Sequence, residues 1–261
     1  MVCNFSGVAV TIFGLSVYWY SLAYICGILA ALKLSGIVAE RTTAGISQSQ
    51  LDEFVAFAVV GVILGGRLGH VFLYDWEFYQ QRPMEIVKIW RGGMSFYGGF
   101  LGVLVMAGWF CRKRHINFLA FTDLWSVGTP IGLFLGRIAN FINGELLGKE
   151  SDIVWNVVFQ DGVHRHPSQI YEAILEGVLL FLVMLTAFEK KYHLHIGRLS
   201  GIFCCGYGIA RFLSEFFRKP DSPFSYLLLY RSGLNLNQYA SVALLLLGVI
   251  LIHGSQKNEI R

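Results

Sequence analysis

Charge is scarce in this chain. Asp, Glu, Lys and Arg make up 15% of its 261 residues, while hydrophobic residues make up 55%. That balance excludes a soluble domain, because a core of this size cannot hide so much apolar surface. Cysteine is scarce as well: Cys3, Cys26, Cys111, Cys204 and Cys205 are odd in number and form no Cys-x-x-Cys, so neither a disulfide framework nor a zinc site is expected. The first ten residues hold no Lys or Arg, which argues against the basic start of a cleaved signal peptide and makes the first apolar stretch an expected retained span. Ten-residue segments of alternating hydrophobicity are missing, which excludes an outer-membrane barrel. No His-Glu-x-x-His occurs, and His164, His166, His193 and His195 stand in loop-like segments, so no metal and no cofactor is expected. The net charge of +4 is scattered over short loops and buried arginines rather than gathered on one face, and nucleic acid is not an expected partner.

What is present is length of apolar chain. Seven stretches approach the roughly 20 residues a spanning helix needs: residues 15–36, 54–74, 94–111, 118–135, 170–188, 199–217 and 239–253. The expected fold is an all-α polytopic membrane protein of about seven transmembrane helices, a single integral membrane domain over residues 1–261. Compact basic clusters at Arg112-Lys113-Arg114 and Lys190-Lys191 place those loops in the cytoplasm, which puts the N-terminus outside and the C-terminus inside. Residues 75–93 mix Trp76, Phe78, Tyr79 and Trp90 with charges, the composition of a segment lying at the headgroups. Near 149–166, a β-branched and aromatic run at 153–159 followed by Gln160-Asp161-Gly162 predicts a small extracytoplasmic β-hairpin insert.

Polar residues inside spans are few and therefore informative. Residues 136–148 read Gly-Arg-Ile-Ala-Asn-Phe-Ile-Asn-Gly-Glu-Leu-Leu-Gly directly after an uncharged apolar run. On a helix, Arg137, Asn140 and Gly144 share one face. The partner of Arg137 is expected to be an anion or a nearby carboxylate such as Glu145. Pro130 is expected to kink or break that helix just before this stretch. Arg67 and Arg211 also lie in or at the ends of spans, and Tyr207, Arg211, Glu215 and Arg218 form a polar stripe with Glu215 as the partner of Arg211. Glu172 and Glu176 repel one another at i, i+4 unless a cation such as Arg137 or Arg67 lies between them. Small residues at four-residue spacing, Gly61, Gly65 and Gly69 on one segment and Gly98 and Gly102 on another, predict close helix packing.

The motif at 136–148 resembles the signature of the bacterial phosphatidylglycerol prolipoprotein diacylglyceryl transferase family. Trp19-Tyr20, residues 166–172 (His-Pro-Ser-Gln-Ile-Tyr-Glu) and residues 207–221 agree with it in order. The resemblance implies an inner-membrane enzyme that moves the diacylglyceryl group of phosphatidylglycerol onto the thiol of a lipobox cysteine in a prolipoprotein signal peptide, releasing glycerol 1-phosphate. It implies catalytic roles for Arg137, Arg211 and Glu145, and substrate contacts for Tyr20, Asn140, Gly148, Tyr207 and Glu215. Two guanidiniums suit a reaction that develops charge on a phosphate ester leaving group.

The thiol must also lose its proton. Where many members of the family have a histidine proposed as the base, this chain has Tyr97, whose phenol is a poor base at neutral pH unless arginines lower its pKa. An orienting role for Tyr97 is expected, with the proton leaving to Glu145, His166 or water. An alternative of another class is a polytopic membrane transporter of a small anionic solute, which would place charges within spans too. Transporters tend to show inverted repeats and paired broken helices, and Pro130 has no counterpart in the second half.

Overall fold

A computed structural model describes residues 7–12, 14–42, 45–220 and 229–257. Cys3 and the last residue of the 207–221 stretch lie outside these. The chain divides into two compact units, Met1–Thr43 with Thr122–Arg261, and Ala44–Phe121.

The first unit opens with an antiparallel pair, β1 (Val8–Ile12) and β2 (Leu15–Tyr18), in which Val10 faces Val17 and Thr11 faces Ser16. Helix α1 (Trp19–Glu40) follows without a side-chain cap. The apolar run that suggests a span starts at residue 15, but the β-branched run at 8–12 and the turn at Gly14, with φ of 81°, favour a hairpin there, and the helix starts at Trp19.

The second unit holds α2 (Gln48–Leu73), a short α3 (Trp76–Gln81) and α4 (Phe96–Arg114). Ser47 and Gln50 form a capping box at the start of α2. The glycine ladder does what its spacing suggests. A Cβ on Gly69 would stand 2.6 Å from the Cα of Gly98, so α2 and α4 touch backbone to backbone.

Returning to the first unit, α5 (Phe118–Asn143) begins at the junction and runs unbroken through Pro130. Of the expected kink or break, the break does not occur, since proline removes one ladder bond and the turns either side remain helical. A short antiparallel pair, β3 (Val157–Val158) with β4 (His164–Arg165), turns at Gly162. Next comes one continuous rod, residues Ser168–Glu189, made of α6 (Ser168–Glu172), a π-helical stretch Ala173–Leu179 and α7 (Leu180–Glu189). It is followed by β5 (His195–Ile196), α8 (Arg198–Ser214), α9 (Leu236–Gly254) and β6 (Gln256–Lys257), with β5 paired to β6.

Among the described residues, five helices are long and apolar enough to cross a membrane: α1, α2, α5, the α6–α7 rod and α9. The chain is a mostly helical, multi-pass membrane protein with only small sheets. Helix α4 ends in Arg112, Lys113 and Arg114, and α8 has 17 residues and carries Arg198 and Arg211, so neither is among the five.

Candidate functional site

The signature sits at the C-terminal end of α5. Gly144, with φ of 67°, ends the helix as a left-handed residue just past a helix end, rather than adding a gap to its face. Arg137 and Asn140 remain helical, one turn apart.

Arg137 meets two carboxylates from the rod. Its Nε and Nη2 donate to Glu176 Oε2 at 3.0 and 2.8 Å, and its Nη1 lies 3.0 Å from Glu172 Oε2. Arg211, on α8, meets the same pair: Nη1 donates to Glu172 Oε1 at 2.6 Å and to Glu176 Oε1 at 3.3 Å. Its Nη2 is 2.7 Å from Glu215 Oε2, the expected partner four residues on. A third guanidinium, Arg218 just beyond α8, donates to Glu172 Oε1 at 3.1 Å. Three helices thus bring together Arg137, Arg211, Arg218, Glu172, Glu176 and Glu215, all with side chains at most 13% exposed.

The cluster confirms that Glu172 and Glu176 needed a cation, and identifies Arg137 as one. Arg67 is not another. It belongs to the second unit, where its guanidinium donates to the backbone carbonyls of Glu85, Ile86 and Gly93 and stacks on Tyr79. It holds the α3–α4 connection in place.

Glu145 does not pair with Arg137. It accepts from Asn140 Nδ2 at 3.2 Å and from Asn143 Nδ2 at 3.4 Å, because the chain has left the helix and turned before residue 145. Asn140 Nδ2 also donates to Tyr20 Oη at 2.8 Å, which joins α1 to the signature. Gln169 Nε2 donates to the Glu145 carbonyl at 2.6 Å, so the start of α6 holds the same segment.

Gly148 pairs in an isolated bridge with Arg218, and a side chain there would collide with the backbone of His166. His166 Nδ1 lies 3.4 Å from Tyr171 Oη and packs on the Phe217 ring. Tyr207 lies one turn before Arg211 on α8 and stacks on Phe203. Tyr97 is in the second unit, in the first turn of α4, where Ser95 caps the helix through Gly98 N–H and Ser95 N–H donates to Gly66 O at 2.8 Å. It is 45% exposed.

Glu215 has two further partners that the sequence pattern does not assign to it. Asn235 and Asn237 donate to its Oε1 at 3.2 and 2.9 Å. Part of this was readable, since Asn235 and Gln238 form the capping box that starts α9.

Fold and site define a multi-pass helical membrane protein that keeps a charge-balanced polar centre at the ends of its spans. A family model described as prolipoprotein diacylglyceryl transferase matches residues 7–253. The chain belongs to the prolipoprotein diacylglyceryl transferase family. It is similar to the phosphatidylglycerol–prolipoprotein diacylglyceryl transferase of Solidesulfovibrio magneticus, 44% identical over 253 residues that cover 95% of this chain and 94% of that protein. The proteins of the same name from Rickettsia felis, 44% identical over 95% of this chain and 96% of the relative, and from Azospirillum brasilense, 44% identical over 92% and 90%, are equally similar.

Proposed function

We propose that this chain transfers the diacylglyceryl group of phosphatidylglycerol to the thiol of the lipobox cysteine of a prolipoprotein. A sulfur–carbon bond forms, the carbon–oxygen bond to phosphate breaks, the thiol proton leaves, and glycerol 1-phosphate departs with the bonding pair. The observation that carries the reading is the bridging of Arg137 and Arg211 by Glu172 and Glu176, in a chain whose relatives bear that activity in their names.

The carboxylates fix both guanidiniums on one side, and each guanidinium has more N–H donors than these contacts use. Arg137 and Arg211 clamp the lipid phosphate and stabilise the charge that builds on the leaving group. Asn140, whose Nδ2 donates to Tyr20 and Glu145, gives up one of these contacts to donate to a phosphate or glycerol oxygen of the substrate. Glu215 orients Arg211, while Gly148, His166 and Tyr207 line the substrate. Tyr97 orients substrate, and the proton leaves to Glu145, His166 or water.

Residues 1–261 form one integral domain of the bacterial inner membrane in this reading, with α4 and α8 completing seven spans. The N-terminus is extracytoplasmic, the C-terminus is cytoplasmic, and the β3–β4 pair belongs to an extracytoplasmic insert near 149–166. The partners are phosphatidylglycerol, surrounding membrane lipid and the lipobox segment of the prolipoprotein. Purified protein incubated with labelled phosphatidylglycerol and a lipobox peptide is expected to yield a thioether-linked product. Transport of labelled anion without that product would support the transporter alternative instead.

A further inference from the structure

Three guanidiniums and three carboxylates meet in the cluster, so its formal charge sums to zero before any lipid arrives. Two of the carboxylates, Glu172 and Glu176, are wholly buried, and fixing the guanidiniums does not by itself require that they cancel the guanidinium charge. Burying ion pairs among spans is costly. A simpler clamp would leave the arginines to face the phosphate alone.

The backbone departs from ordinary helix around Glu176, directly after Glu172. From Ala173 to Leu179 the rod is π-helical, a wider winding frequent at functional sites. Gly177 there lies against α5, so close that a Cβ on it would stand 2.6 Å from the Cβ of Phe134. Phe134 precedes Arg137 by one helical turn, so the same close approach brings Glu176 up to Arg137. Each carboxylate then bridges Arg137 and Arg211, Glu176 using one oxygen for each arginine.

The chemistry gives that cancellation a use. The phosphodiester of phosphatidylglycerol carries one negative charge, whereas a phosphate monoester such as glycerol 1-phosphate approaches two at neutral pH. Uncompensated guanidiniums would therefore hold product more tightly than substrate. A neutral clamp acts through the direction of its N–H donors and favours the dianion far less. We propose that Glu172 and Glu176 are positioning residues that balance the charge of the arginine clamp and so let the phosphate-bearing product leave. This rests on the transferase reading.

Glu176→Gln keeps the shape and an acceptor oxygen for Arg137 while removing one negative charge. With full-length protein in lipid nanodiscs, labelled phosphatidylglycerol and a lipobox peptide, inhibition by added glycerol 1-phosphate is expected to become about tenfold stronger or more. The KM for the lipid should fall or hold while kcat falls. A carboxylate with a purely structural role would give the opposite sign, with Arg137 loosened, inhibition weaker and KM raised. That result, or unchanged inhibition, overturns the proposal. Glu172→Gln provides an independent second reading, and loss of folded protein in both variants would make the pair structural and overturn it as well. Failure of the unsubstituted protein to make the thioether removes the transferase reading itself, an outcome distinct from a wrong shift in the variants.

Discussion

Arg137 is gripped along one edge by Glu176 and at Nη1 by Glu172, and only a planar fork can keep both contacts while still presenting donors to a phosphate. Lysine has a single ammonium and would have to choose. Arg137→Lys is expected to insert at normal abundance and to lose about 100-fold or more in turnover, read with labelled phosphatidylglycerol and a lipobox peptide; near-normal turnover would defeat the clamp. Tyr97 gives the contrary expectation. General bases contribute about 100-fold or more, so if Tyr97 only orients substrate, Tyr97→Phe should slow the reaction by less than about tenfold. A larger loss that Tyr97→His restores would return the base to this position. Much of the residue-level site was legible, because charges within apolar runs are rare and each has to be answered. Glu172 and Glu176 announced a missing cation through their spacing alone. What could not be read was which arginine answers which carboxylate. Arg67 resembles Arg137 in its surroundings along the chain, yet it is satisfied by backbone carbonyls, and carbonyls carry no signature in side-chain sequence.

At the scale of elements, two contacts set how helices meet. Asp123, buried on α5, accepts Gly197 N–H at 2.6 Å and both Ser200 N–H and Ser200 Oγ at 2.7 Å. It caps α8 from a neighbouring helix, and α8 carries Arg211 near its other end. Asn at this position would turn an N–H donor toward at least one of those N–H groups. Asp123→Asn is expected to cost ~1–3 kcal/mol, seen as a lower unfolding temperature in detergent. A matching temperature would mean that the cap is dispensable. In the other unit, a Cβ on Gly98 would lie 2.7 Å from the Cα of Gly69. Gly98→Val should therefore part α2 from α4 at a cost of ~1–3 kcal/mol or more, measured the same way. The glycine ladder was visible in sequence because small residues recur at helical spacing. The β1–β2 hairpin was not, since Leu15 to Tyr18 is as apolar as the helix it feeds and hydropathy alone does not separate strand from span. The remote cap by Asp123 was equally hidden, 74 residues from Gly197.

On the scale of the whole molecule, the proposed topology has a consequence for the cluster. If spans alternate in direction, the C-terminal end of α5, the start of α6 and the C-terminal end of α8 fall on the same side, which is where Arg137, Glu172 and Arg211 are found. That agreement depends on α8 crossing, and which side it falls on depends on α4, the two helices that length and composition leave out of the five. The argument for α4 is its ending: Arg112, Lys113 and Arg114 occupy the last turn, where a span entering the cytoplasm would place them. Two pairs of exposed positions decide both cases. Val87 precedes α4 and Lys113 lies in its last turn, while Lys190 and Tyr230 flank α8. In a variant whose native cysteines are replaced, Val87→Cys and Tyr230→Cys are expected to react with a membrane-impermeant thiol reagent added to spheroplasts. Lys113→Cys and Lys190→Cys should react only after the membrane is opened. Labelling of both members of a pair from the same side would mean that the helix between them does not cross. If that helix were α8, the seventh span would have to be abandoned, although Arg137 and Arg211 would still share Glu172 and Glu176.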